Sequence, residues 1–198
     1  YEAVSLIDVD GMKKLEGFPP AMVLMLLSDL TGVCTMPEND ILGNVTQLIV
    51  RGLTGQDAHY MELYELLEDR ILIGVPDCVP SSAVEGPVIV LPTSFGLLSG
   101  SIVNVSRVRG GQVTLVRLCF GREGYRLHVV TGTAVQPQPW EEYGWDDPAP
   151  QLPGLEVLLD TPVETFARTM SSQHVIVAYG DITRELQKWA DLVGIQII

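Results

Sequence analysis

The sequence predicts a mixed α/β fold, with α/β segments at both chain ends flanking a small antiparallel β-barrel-like domain. Three observations carry that reading. Apolar residues recur at helical spacing at Ile41, Val45, Leu48, Ile49 and Leu53, and again at Ile182, Leu186, Trp189, Ala190 and Val193. Between about residues 70 and 158, short β-rich runs are separated by glycine and proline clusters. Of the 198 residues, 46% are hydrophobic, enough for a sizeable core. The expected divisions are 1–70 as the end of an α/β domain, 71–158 as the barrel-like domain, and 159–198 as a terminal segment.

The elements follow in chain order. A strand is expected over 3–8, then a polar segment from Asp8 to Glu16. Pro19-Pro20 breaks the pattern, and the apolar stretch 21–30 reads as helix, punctuated by Gly32. The helix over 41–53 stops at Gly55. Strands are expected at Ile71–Val75, Val88–Leu91, Ile102–Val105, Val113–Phe120 and Tyr125–Thr131. Gly121-Arg122-Glu123-Gly124 reads as a four-residue hairpin loop. Gln136 to Pro153 holds five of the thirteen prolines and reads as an irregular excursion. Thr161-Pro162-Val163-Glu164 reads as a capping box with proline at the first helical position. A strand over 175–179, the last helix, Gly194 and a closing strand at 195–198 complete the chain.

Bulk properties exclude several function classes. The formal net charge is −13 with no basic patch, which argues against a nucleic-acid partner and against an anionic membrane surface. No segment reaches about 18 uninterrupted apolar residues, so no membrane span is expected. Cys34, Cys78 and Cys119 are odd in number and form no C-x-x-C pair, which fits a reducing cytoplasm. The chain opens at Tyr1 inside a strand-like pattern, so it is expected to be the C-terminal piece of a longer protein.

The chemistry concentrates in two stretches. Pro37-Glu38-Asn39-Asp40-Ile41-Leu42-Gly43-Asn44 sets Asp40 at a helix N-terminus, and Gln173-His174-Val175 sets His174 at the mouth of a strand. Asp8, Asp10 and Glu16 follow the first strand. Two carboxylates and a neutral imidazole suit a divalent ion such as Mn²⁺ or Mg²⁺. Such an ion polarises a carbonyl and binds neighbouring sugar oxygens. The plainer readings stand beside this one. Asp40 serves equally as an N-cap, His174 as a strand-end donor, and Asp8, Asp10 and Glu16 as solvated charges. His59 is expected in an exposed loop, and His128 facing outward from a strand. Cys34 and Cys119 read as small buried hydrophobes. There is no G-x-S-x-G, P-loop or G-x-G-x-x-G motif.

Four segments in order resemble the C-terminal part of the L-fucose isomerase family, relatives of L-arabinose isomerase. Glu38-Asn39-Asp40 with its helix and Leu53-Thr54-Gly55 resembles the family's E-N-D or E-G-D element. Pro76-Asp77-Cys78-Val79-Pro80 resembles its cysteine-containing loop. Gln112 to Leu118 resembles its P-V-T-L-A-R-L strand, and Gln173 to Asp181 its N-H-x-x-x-x-Y-G segment. The resemblance implies an aldose–ketose isomerase working through an ene-diol, with Mn²⁺ held by a glutamate, an aspartate and a histidine. Carried over, these fall on Glu16, Asp40 and His174, with Asp10 as the alternative to Glu16, and with Glu16 and Asp40 as the acid/base pair. A sugar substrate, a homo-oligomer and an N-terminal region of the same protein are implied as partners. The reading of a different class is a non-catalytic sugar-binding or assembly module that keeps the fold.

Overall fold

The computed structural model describes residues 1–18, 20–75, 79–91, 103–138 and 153–198. The Pro76–Cys78 part of the cysteine loop, Ile102, most of the proline-rich excursion and the side chain of Asp10 lie outside the described residues.

The N-terminal part is a parallel pair, β1 (Ala3–Ser5) with β2 (Cys34–Met36), separated by a π-helical turn at Asp8–Lys13, the short α1 (Lys14–Glu16) and α2 (Ala21–Thr31). Gly32 ends α2 in the left-handed conformation. Next comes α3 (Ile41–Thr54), stopped by Gly55 at φ 72° as the sequence predicts. Its spacing holds, and Val45, Ile49 and Leu53 pack half-buried against the core. Ile41 is exposed, and the fully buried positions are Gly43, Asn44, Thr46, Gln47 and Val50. A largely polar stripe therefore faces the rest of the molecule. It is satisfied there only in part: the Thr46 hydroxyl accepts from the Leu118 amide and the Gln47 side-chain NH2 donates to the Ala58 carbonyl, while Asn44 Oδ1 and Gln47 Oε1 have no hydrogen-bond partner among the described residues.

Beyond α3 the chain builds a closed six-stranded antiparallel barrel. Its strands are β3 (His59–Leu66), β4 (Arg70–Gly74), β7 (Gly111–Gly121), β8 (Gly124–Val135), β9 (Gly154–Leu159) and β10 (His174–Tyr179). Around the barrel the order is β8-β7-β10-β3-β4-β9, and β9 pairs back onto β8. Closure removes the sheet edges that would otherwise invite pairing. The barrel takes β3 and β10 from either side of 71–158. A short pair, β5 (Val90–Leu91) and β6 (Val103–Asn104), stands apart. The β7–β8 turn is tighter than predicted. Gly121 and Gly124 pair with each other, so Arg122 and Glu123 alone form the turn.

Helix α4 (Val163–Thr169) starts after Pro162, whose extended ψ of 135° makes it the cap residue, and no side chain caps it. The predicted capping box therefore does not form. The helix lies over β8, with the Phe166 ring 5.4 Å from that of His128. That cover buries His128, which was expected to face solvent. His59 is likewise buried, as the first residue of β3 rather than a loop residue. Cys34 and Cys119 are buried free thiols, as expected. α5 (Thr183–Val193) and β11 (Gln196–Ile197) close the chain, with β11 parallel to β8. One hydrophobic cluster runs from Leu24, Met36 and Val50 into Ile71, Leu127, Val157 and Leu186, joining α2 and α3 to the barrel. Among the described residues, no helix is long and apolar enough to cross a membrane.

Candidate functional site

The β2–α3 turn meets the β3–β10 ladder at a cluster of charged groups. In that ladder His174 lies directly opposite Glu62. Opposed residues of an antiparallel pair hold their side chains side by side, so this register alone sets an imidazole beside a carboxylate. The turn delivers Glu38 and Asp40 to the same place. Glu38 and Asn39 both take left-handed backbone angles, φ 58° and 55°. Such angles are costly for non-glycine residues and persist only where contacts enforce them. Here the Glu38 amide donates to Asp8 Oδ1 at 2.6 Å, and the Asn39 amide donates to the Leu6 carbonyl at 2.8 Å. Asp8 is therefore not a solvated charge. It is buried, with Lys13 Nζ 3.9 Å from its other oxygen, and it anchors the turn.

Asp40 is the N-cap of α3, its Oδ1 accepting from the Gly43 amide at 2.9 Å. It does more than cap. Arg117 of β7 grips it with both terminal nitrogens, at 2.5 and 2.9 Å, and His174 Nδ1 lies 2.9 Å from Oδ2. Both members of the Arg117–Asp40 pair are only 9% exposed. Burial works against the charge on Asp40, but hydrogen bonds from His174, Arg117 and Gly43 outweigh it. Its carboxyl is held well below the usual carboxylate range. Gly43 makes the approach possible, because a Cβ there would lie 2.7 Å from Asp40 Oδ2.

The other nitrogen of His174, Nε2, lies 3.1 Å from Glu38 Oε2. Burial lowers the basicity of the ring, while Asp40, Glu38 and Glu62 raise it more, so its pKa stands above the ordinary value. Glu62 accepts a 2.6 Å hydrogen bond from the Tyr60 hydroxyl, and the Tyr60 ring meets the His174 ring edge-on at 4.9 Å. Burial, with Glu62 next in weight, pushes the Tyr60 phenol far up, so it remains a donor.

The expected trio is thus brought together only in part. Asp40 and His174 are in direct contact. Glu16 is exposed at the end of α1 and is no member of the cluster. Among the described residues, Glu38, Glu62 and His174 each offer one ligand atom, all within 4.8 Å of one another. Bonds of about 2.1 Å to one ion put two donors at most about 4.2 Å apart, so this set must draw closer together to hold a divalent ion. Its chemistry, two carboxylate oxygens and an imidazole nitrogen, suits a divalent cation.

Sequence reasoning missed Glu62, Tyr60 and Arg117. The signal for Arg117 was present, since a charge inside the apolar run Val113–Phe120 requires a partner. No comparable signal marked Glu62, which only strand register brings to His174. Neither a protein-family model nor a curated protein matches this chain.

Proposed function

We propose that this chain carries the metal-binding part of an aldose–ketose isomerase of the L-fucose isomerase type, working through an ene-diol. The single observation behind this is the convergence of Glu38, Glu62 and His174 within 4.8 Å. In this reading those three residues hold the ion, in place of the Glu16, Asp40 and His174 set that the resemblance implied. A bound divalent ion would supply polarisation of the sugar's carbonyl and hydroxyl oxygens.

The chain's own groups do the remaining work. Glu38 is 39% exposed, so its carboxylate exchanges protons with whatever enters from solvent. Glu62 is held by the Tyr60 hydroxyl, which fixes one of its oxygens. A carboxylate beside the ion suits the transfer of a proton between adjacent carbons, taking it from one carbon and returning it to the next, so that the group ends as it began. The sugar substrate, a homo-oligomer and a cytoplasmic location belong to the same proposal.

One observation favours the alternative, a sugar-binding or assembly module without turnover. Arg117 takes up the carboxylate of Asp40, the residue that the family resemblance makes an acid/base group. A Mn²⁺ titration tests the site, and an aldose-exchange assay separates the readings. Thermal stabilisation by Mn²⁺ is expected in the parent and in Glu16→Gln, and is lost in Glu62→Gln and His174→Gln. Retention in all variants sinks the site. Mn²⁺ binding by full-length protein with no exchange on an aldose panel leaves the module reading.

A further inference from the structure

We infer that Arg117 is a positioning residue: through Asp40 it pins His174 by Nδ1 and leaves Nε2 as the nitrogen that faces Glu38 and Glu62. This rests on the site proposed above, but its geometry stands by itself.

A carboxylate has about four lone-pair positions. Asp40 receives four donors: the Gly43 amide and one Arg117 nitrogen on Oδ1, the other Arg117 nitrogen and His174 Nδ1 on Oδ2. Its acceptor capacity is filled, so no position remains for an ion unless one of these bonds breaks. An ion there would also lie against a guanidinium. Asp40 therefore acts through His174 rather than on a ligand. The arrangement is the carboxylate–imidazole pairing that orients metal-binding histidines, with one addition. The guanidinium fixes the carboxylate in turn, by a planar two-point grip that a single ammonium does not reproduce. The strand supplies this grip from β7, while the ring sits on β10 and the carboxylate heads α3, so three elements converge on one ring orientation.

The test reads the ring itself. In metal-free protein, ¹⁵N spectra recorded where the imidazole is neutral report which nitrogen carries the proton. The parent should show the Nδ1–H form at His174. Arg117→Met should shift both ring nitrogens toward a mixture of forms and weaken Mn²⁺ binding by about 10- to 100-fold, the size usual for a residue behind a ligand. Arg117→Lys should fall between. If Arg117→Met does not fold, Asp40→Asn replaces it, because asparagine keeps the helix cap and removes the charge. An Nε2–H ring in the parent, or unchanged ring shifts in the variant, overturns the inference whether or not metal binds. Absence of Mn²⁺ binding in the parent defeats the site reading alone, and the ring spectra still decide the positioning role. A merely structural pair would lower stability and leave the ring spectra in place.

Discussion

Two histidines occupy opposite ends of one strand pairing, and their environments are opposed. His174 begins β10 opposite Glu62, while His59 begins β3 opposite Val177. Both are largely removed from water. His174 has acidic partners at both ring nitrogens. Among the described residues, His59 Nε2 has no hydrogen-bond partner, and it borders a cavity of about 20 Å³ shared with Gln47, whose Oε1 is also unpartnered. Burial pushes His59 down to about 4, whereas the carboxylates around His174 more than cancel the same penalty. The backbone pairing is common to both. What separates them is the β2–α3 turn, which reaches one end of the ladder with Glu38 and Asp40 and does not serve the other.

The largest break in this comparison should come from Asp40→Ala. It removes a helix cap, worth about 1 kcal/mol, and leaves a buried guanidinium unpaired, a loss of about 3–5 kcal/mol. Urea unfolding should show a total loss of about 4 kcal/mol or more. His174, deprived of its nearest acid, should titrate closer to the range of His59. A loss below about 1 kcal/mol would mean the pair is not formed in solution.

The second prediction concerns acidity. Folded His59 takes up its proton only near pH 4, against 6.5 for the ordinary ring, so between these values the unfolded chain binds more protons. Stability from this group is therefore fully present above pH 6.5 and is lost as pH falls toward 4. The full loss is about 3 kcal/mol, from about 1.4 kcal/mol per pKa unit. His174 has the opposite sign in the metal-free protein. Its raised pKa gives a contribution present below the ordinary value and lost as pH rises through the folded one. Unfolding at about pH 4.5 and about pH 7 should show the His59 loss in the parent, and His59→Gln should flatten it. An unchanged slope in that variant assigns the acid sensitivity elsewhere.

The contrast also marks what the residues could disclose. The barrel was legible because Val113–Phe120 and Tyr125–Thr131 are dense in β-branched and aromatic residues, a pattern that local sterics favour. β3 was not, because Glu62 and Glu65 interrupt its apolar residues and the strand carries an irregularity between Leu63 and Glu65. Asp40 and His174 were legible as chemistry. Their partners were not, since Arg117 and Glu62 lie 77 and 112 positions from Asp40 and His174 respectively, and only barrel closure brings them near. His59 was misplaced for the same reason: a buried polar residue and an exposed one look alike until the strand register is known.

The smallest effect is the most selective. Gly43 touches only the His174 end, through Asp40. A Cβ at this position would meet Asp40 Oδ2 and Met36 Cε, each at 2.7 Å, so Gly43→Ala must displace both of them. Met36 is fully buried in the core and has little room to give. The carboxylate should therefore move, loosening its bonds to Arg117 and His174. Alanine favours the helix by about 1 kcal/mol over glycine, which offsets part of the overpacking cost of about 1–3 kcal/mol. The net loss in urea unfolding should be about 1 kcal/mol, with the ring signals of His174 shifted and those of His59 unmoved. If both histidines shift together, the two ends of the ladder are coupled and the turn does not act on His174 alone.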